Sequence, residues 1–208
     1  MNGTDKHQTR RGEIVLAARD LYEERGLEHT TIKDIAERVG VARSLIYHYF
    51  PDKEALTDAV LNNLVEDFLE ALRYWNAQRE RGNVDKALAD CLHLFRNGIF
   101  ENGSFRRSLA NTENAALYLH FVQVVADRIA HYIVDSTVQD FGRYHEIEID
   151  HVYETFYMLI IGMIGLVRAY PDISDGTLRA VAAQTLHIER FLQDEAEGGT
   201  TTCSTCST

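Results

Sequence analysis

TTIKDIAERVGVARSLIYHYFPDKEAL, residues Thr30 to Leu56, is the stretch that decides how this chain is read. Thr30 and Thr31 are cap residues for a short helix whose inward face is Ile32, Ile35, Ala36 and Val39, and Gly40 stops it. A second short helix begins at Val41 or Ala42, carries Leu45, Ile46 and Tyr49 on one side, and ends at Phe50-Pro51. Two short helices joined by a tight turn make a helix-turn-helix, and the spacing gives the packing reason. Ala36 has to be small because the second helix crosses close above it. Gly40 supplies the positive φ of the turn, and Ile46 fills the space between the helices.

Outward from this motif the apolar spacing predicts helices throughout. Upstream, Ile14, Ala17, Ala18 and Leu21 place a helix over 10–25, closed by Gly26. Downstream, Asp52 caps a long helix running to about Trp75 with Leu56, Val60, Leu64, Phe68 and Leu72 inward. Further helices are expected over 84–100, 105–110, 112–141, 150–170 and 174–195, Thr112 capping the third of these five and Pro171 separating the last two. The fold class is all-α with about nine helices. The expected division is a three-helix unit over 1–51, a larger helical unit over 52–195 and a disordered tail over 196–208, where only Cys203 and Cys206 interrupt a polar sequence.

Composition agrees. In 208 residues there are 13 Gly and only 2 Pro, too few turn formers for an all-β chain. The net charge of -11 excludes a protein that coats polyanions through a broad positive field. Residues 1–60 carry only -2 of it, so a local basic face remains open. Three cysteines make no disulfide framework, which fits a reducing cytosol. The polar start lacks the apolar segment of a signal peptide, and the longest apolar run, Met158 to Val167, falls short of a membrane span. A cytoplasmic protein without membrane contact is expected.

The front of the chain resembles the TetR family of one-component bacterial transcriptional regulators. The resemblance rests on Thr31, Ile35-Ala36, Gly40-Val41, Ile46-Tyr47, Tyr49-Phe50, Lys53 and Leu56, with Ala17, Leu21 and Gly26 in the preceding helix. It covers roughly residues 9 to 57. It implies double-stranded DNA as partner, a palindromic operator and a homodimer. In such a motif the second helix enters the major groove. Arg43 and Ser44 occupy the base-reading place, and Arg43 can bond guanine bidentately. Tyr47, His48 and Lys53 resemble the family's backbone-contacting positions. Thr31 offers phosphate a hydroxyl and a helix N-terminus, and Arg10 and Arg11 add contacts from a leading arm. Ala42 stands where many members have a serine, so no hydroxyl caps the reading helix.

The resemblance also implies dimerisation through the last two long helices, for which Tyr157, Ile161, Ile164, Gly165 and Arg168 are the candidates, Gly162 and Gly165 allowing close approach. It further implies a small effector held between the rear helices. Fifteen of the twenty Phe, Tyr and Trp residues fall between positions 61 and 170 and suit an apolar or aromatic cavity. Candidate lining residues are Phe68, Trp75, His93, Phe105, Tyr118, His120, Phe121 and Tyr157, with Asn114 a further polar anchor. No phosphate loop, nucleophile elbow or zinc-protease helix is present, so no cofactor, metal or catalysis is expected. Two alternatives stay open: a metal-dependent enzyme built on Asp127, His131 and Asp135 at helical spacing, and a constitutive DNA-binding protein without an effector.

Overall fold

The computed structural model describes residues 3–97 and 115–192, and all regular structure among them is helical. Helix α1 (Gly3–Arg25) starts two turns earlier than its apolar stripe indicates, because the polar residues ahead of Arg10 contain no proline to stop a helix. Arg10 and Arg11 therefore lie within a helix and not in an arm. Thr30 is fully buried, and its hydroxyl donates to the carbonyls of Gly26 and Leu21 at 2.9 and 3.2 Å. Of the two threonines expected to cap α2 (Ile32–Val39), one thus closes α1 and the other, Thr31, is the cap.

Gly40 follows with φ 74, its N–H reaching the carbonyls of Ala36 and Glu37, and α3 (Arg43–Tyr49) departs at once. Ala36 and Ile46 are buried at this crossing, Ile46 completely. Asp52 caps α4 (Lys53–Gln78), its carboxylate accepting from the Ala55 N–H at 2.7 Å. This helix serves both halves of the molecule. Its first turns pack on α1, where Thr57 and Tyr22 share a buried hydrogen bond of 3.1 Å and Arg19 donates to Asn63 at 2.9 Å and pairs with Asp67. Its last turns reach into the rear helices through Leu69 and Leu72.

Behind it come α5 (Val84–Arg96), capped by Asn83, and α6 (Ala115–Ile133). The latter passes through a π-helical segment (Val134–Val138) into a short helical end (Gln139–Phe141). Then follow α7 (Val152–Ala169) and α8 (Asp175–Leu186), capped by Ser174. Helices α6 and α7 pack along their lengths, with α4 against α6, and α8 against α5 and α7.

The final helix ends at Leu186 and not near 195. His187 takes the left-handed conformation (φ 55), letting the Ile188 N–H close on the Ala183 carbonyl at 3.0 Å, and a short 3-10 turn (Glu189–Phe191) follows. Helix α7 is longer than the run Met158 to Val167. By length and composition it is sufficient to cross a membrane, but Ile160, Met163, Ile164 and Val167 are buried inside the chain's own core. The helix expected over 105–110, the cap Thr112, Asn114, the candidate Phe105 and the tail with Cys203 and Cys206 lie outside the described residues.

Candidate functional site

The second helix of the turn presents two unlike faces. Ile46 is sealed inside, Leu45 and Tyr49 are half-buried, and Arg43, Ser44, Tyr47 and His48 are exposed. The spacing i, i+1, i+4, i+5 puts these four on one surface of α3. His48 meets the Tyr49 ring edge-on at 5.4 Å. Ala42, at the N-cap, makes no side-chain cap bond, as its missing hydroxyl requires.

Charge pairing singles out Arg43. Around it Arg38 grips Glu24 with two hydrogen bonds of 2.9 and 2.7 Å, Arg10 pairs with Glu13, Lys33 with Glu37 and Arg25 with Asp34. Arg11 stacks over the Phe50 ring at 4.8 Å, and Arg19 is held by α4. Among the described residues, Arg43 alone of the Lys and Arg side chains between positions 9 and 60 has no carboxylate, carbonyl or ring partner. Glu13, Glu24, Asp34 and Glu37 are thus paired with neighbouring cations, while Arg43 stands without such a partner at the start of the exposed helix.

Two expected contacts are differently engaged. Thr31 and Asp34 form a reciprocal capping box, the Thr31 Oγ1 accepting from the Asp34 N–H at 3.3 Å and the Asp34 carboxylate from the Thr31 N–H at 2.8 Å, and the Thr31 hydroxyl also donates to that carboxylate at 2.6 Å. That carboxylate lies at the very helix start where a phosphate was expected, and its bonds to Thr31 hold its pKa below the ordinary value. The Lys53 ammonium donates to the Leu27 carbonyl at 2.7 Å, tying the α1–α2 turn to the first residue of α4. Burial lowers its pKa, opposed by nearby Glu28. Neither engagement is signalled by the motif, because the motif names residue types and both partners depend on how three helices meet.

The second feature is a cavity of about 210 Å³ bordered, among the described residues, by α4 to α8 and the loop 142–151. Its wall is overwhelmingly apolar: Phe68, Leu72 and Trp75 from α4, Leu88, Cys91 and Phe95 from α5, Ile129 and Ile133 from α6, Phe156 and Met163 from α7. Burial pushes the Cys91 thiol up to about 12, so it lines the wall as a neutral group. Polar groups gather at one end. Arg79 donates to Asn76 at 2.6 Å and Asp140 at 3.1 Å, and the π-helical segment brings Thr137 and Asp140 to the same wall.

Of the lining candidates, Phe68 and Trp75 face this cavity. His93 is exposed on α5 beside Asn97, Phe121 is buried in the core, and Tyr118 lies under the Arg168 guanidinium at 4.0 Å. His120 and Tyr157 border a shallow outer groove between α6 and α7. In that groove Asp127 accepts from the Tyr153 hydroxyl at 2.8 Å, which pushes that phenol up to about 12, and His131 packs on the same ring. Among the described residues no group of three His, Cys, Asp or Glu is arranged to hold a metal, so Asp127, His131 and Asp135 form no ligand set.

The dimerisation candidates divide. Ile164 is buried in the chain's own core, Tyr157 and Ile161 are half-buried, and Gly165 and Arg168 are exposed. Met158, which the motif reading missed, is 71% exposed on the same side. Among the described residues nothing lies within 4 Å of a Cβ added at Gly162 or Gly165, so neither glycine makes room for a neighbour among them.

Comparison with known proteins agrees with this geometry. The family model for bacterial regulatory proteins of the tetR family matches residues 14–60. The HTH-type transcriptional repressor KstR2 of Rhodococcus jostii is 38% identical over 64 residues, 31% of this chain and 31% of the relative, so the chain's likeness spans about a third of that protein's length. The solved TetR-family regulator from Pectobacterium atrosepticum superposes with a TM-score of 0.63 at 18% identity, covering 92% of this chain and 98% of that one. RolR, solved with resorcinol, does so with a TM-score of 0.58 at 19% identity and 89% coverage of both chains. Residues 14–60 of this chain thus match the regulatory domain of the tetR family, and the described residues share the fold of solved TetR-family regulators.

Proposed function

We propose that this protein is a homodimeric transcriptional repressor that reads a palindromic operator through α3 and releases it when a small apolar or aromatic molecule fills the rear cavity. The unpaired Arg43 on the exposed side of α3, above a sealed Ile46, carries the reading. A lone guanidinium at the start of a groove-sized helix suits bidentate bonds to guanine. Ser44 reads a neighbouring base, and Tyr47 and His48 hold phosphate. Thr31 and Lys53 act one step back, setting the angles of α2 and α4.

One copy of α3 reaches a half-site only, so specificity needs a pair of chains. The exposed side of α7, with Met158, Ile161, Gly162 and Gly165, supplies an apolar surface smooth enough for a partner helix. Helix α4 supplies the coupling: Phe68, Leu72 and Trp75 border the cavity at one end, while Lys53, Thr57 and Asn63 hold the reading unit at the other. A ligand that displaces the cavity end tilts the reading unit and shifts the spacing of the paired α3 helices. Such a ligand changes operator affinity only by its preference for one arrangement, about tenfold for each 1.4 kcal/mol. KstR2, a repressor by name, and RolR, solved with resorcinol, support repression and a small-molecule effector.

The test is selection of duplexes from a random pool by the full-length protein at near-physiological salt. Enrichment of an inverted repeat with half-sites one helical turn apart, or a multiple of it, is expected. Failure of a folded, dimeric preparation to enrich any sequence overturns the assignment.

A further inference from the structure

The polar wall of the cavity carries chemical information about its occupant. Arg79 is 7% exposed and Asp140 20% exposed, and both border the apolar space. A guanidinium has five N–H donors. Arg79 uses its Nε–H on Asn76 and an Nη2–H on Asp140, and no other hydrogen bond engages it among the described residues. Donors therefore remain on a buried cation beside the space. Asp140 in turn is approached by Arg81 at 3.9 Å and Arg143 at 3.4 Å, both from the exposed side, and keeps acceptor capacity as a carboxylate.

Resting on the ligand-cavity reading above, we infer that the cavity takes a neutral, single-ring molecule bearing a hydroxyl, bound by its oxygen to Arg79 and by its proton to Asp140. Size sets the first limit. An apolar cavity of about 150 Å³ holds benzene, so about 210 Å³ holds one ring with one or two small substituents. The aromatic lining of Phe68, Trp75, Phe95 and Phe156 suits a ring edge or face.

Charge sets the second limit. A carboxylate at Arg79 meets the Asp140 carboxylate already bonded to that guanidinium, with Arg81 and Arg143 reaching Asp140 only from the exposed side, and an ammonium at Asp140 meets all three guanidiniums. A hydroxyl is both acceptor and donor and uses the two groups together. A hydrocarbon of the same shape leaves the spare N–H groups of Arg79 cut off from water, a loss of the kind that makes polar pockets reject analogues lacking the polar group.

The test uses the full-length protein and Trp75, its one tryptophan, as a reporter in the cavity wall. Calorimetric and fluorescence titrations compare meta-cresol, toluene, meta-toluate and benzylamine. Saturable binding of meta-cresol is expected about tenfold tighter than that of toluene, with no binding of meta-toluate or benzylamine. In Asp140→Asn, meta-cresol weakens while meta-toluate binding appears, because Arg79 loses its counter-charge. Equal binding of toluene, or of meta-toluate, by the unaltered protein overturns the hydroxyl assignment and leaves the ligand cavity standing. No saturable response to any of the four overturns the cavity reading itself. The comparison among probes on the unaltered protein does not depend on how Asp140→Asn folds.

Discussion

Helices α3 and α7 each turn one face inward and one outward, and the outward faces ask for opposite partners. On α3 the inner residue Ile46 is sealed, while the outer surface is polar, with Arg43 a cation that has no partner among the described residues. On α7 Ile160, Met163 and Ile164 are sealed, while Met158, Gly162 and Gly165 leave an apolar patch flanked by the exposed Glu154 and Arg168. A polar face with a spare guanidinium gains by meeting a polyanion. An apolar face gains by leaving water altogether.

That contrast breaks most directly at Gly165. Substituting Gly165→Glu improves helix propensity by up to about 1 kcal/mol, and its Cβ meets no atom among the described residues, so an isolated chain is expected to keep its fold. In a pair of chains it buries a charge. Sedimentation is expected to shift from dimer to monomer, and affinity for a two-half-site operator to fall about 10²- to 10⁴-fold as the tethering of two reading heads is lost. A Gly165→Glu protein that stays dimeric moves the interface elsewhere.

Ile46→Ala tests the inner side of α3. Its complete burial between α2 and α3 predicts a loss of about 2 to 5 kcal/mol in urea unfolding. Phe68→Ala, on a wall that already borders empty space, is expected to cost less than the usual core truncation. If the two losses are equal, the cavity end of α4 is as tightly packed as the reading unit.

The same contrast decides what was legible in the sequence. Ala36, Gly40 and Ile46 lie within eleven positions of one another, and each is fixed by chemistry a reader of sequence can supply: a small crossing, a positive φ, an apolar plug. The cavity joins Trp75 to Asp140 and Arg79 to Asp140 across distant segments, and nothing in local periodicity announces a pairing over 61 positions. Helix spacing likewise assigned Ile164 and Gly165 to one surface, although neighbouring positions on a helix face about 100° apart and only the second is exposed. Lys53 and Thr31 were recognisable by type. Their partners Leu27 and Asp34 required the assembled unit.

Arg43→Ala and Lys53→Met separate reading from holding. Arg43→Ala is expected to cost about 1 to 3 kcal/mol at one base position and to relax specificity there. Lys53→Met is expected to lower stability by about 1 kcal/mol through the lost bond to Leu27 and to leave the sequence preference unchanged. Uniform weakening across all sequences by Arg43→Ala, measured on a mismatch series, reduces it to a phosphate contact.

The smallest effect is in pH, and it has opposite signs in the two regions. In the reading unit, hydrogen bonds from Arg38 hold Glu24, and those from Thr31 hold Asp34, below their ordinary pKa values. Each group binds its proton more weakly folded than unfolded. The stability it adds is therefore full above the ordinary carboxylate range and is lost as pH falls through the lowered folded values. Both groups are on the surface, so the loss is modest. In the rear, Cys91 is neutral when folded up to about 12, whereas an exposed thiol ionises from its ordinary 9.0. Its contribution is full below that ordinary value and is lost as pH climbs from there to about 12. Melting temperatures across pH for Glu24→Gln and Cys91→Ala isolate the two from the other titrating groups. Glu24→Gln is expected to flatten part of the acid fall, and Cys91→Ala part of the alkaline fall. An alkaline limb unchanged by Cys91→Ala means that the cavity wall opens to water before the thiol ionises, and the rear helices are then the looser of the two regions.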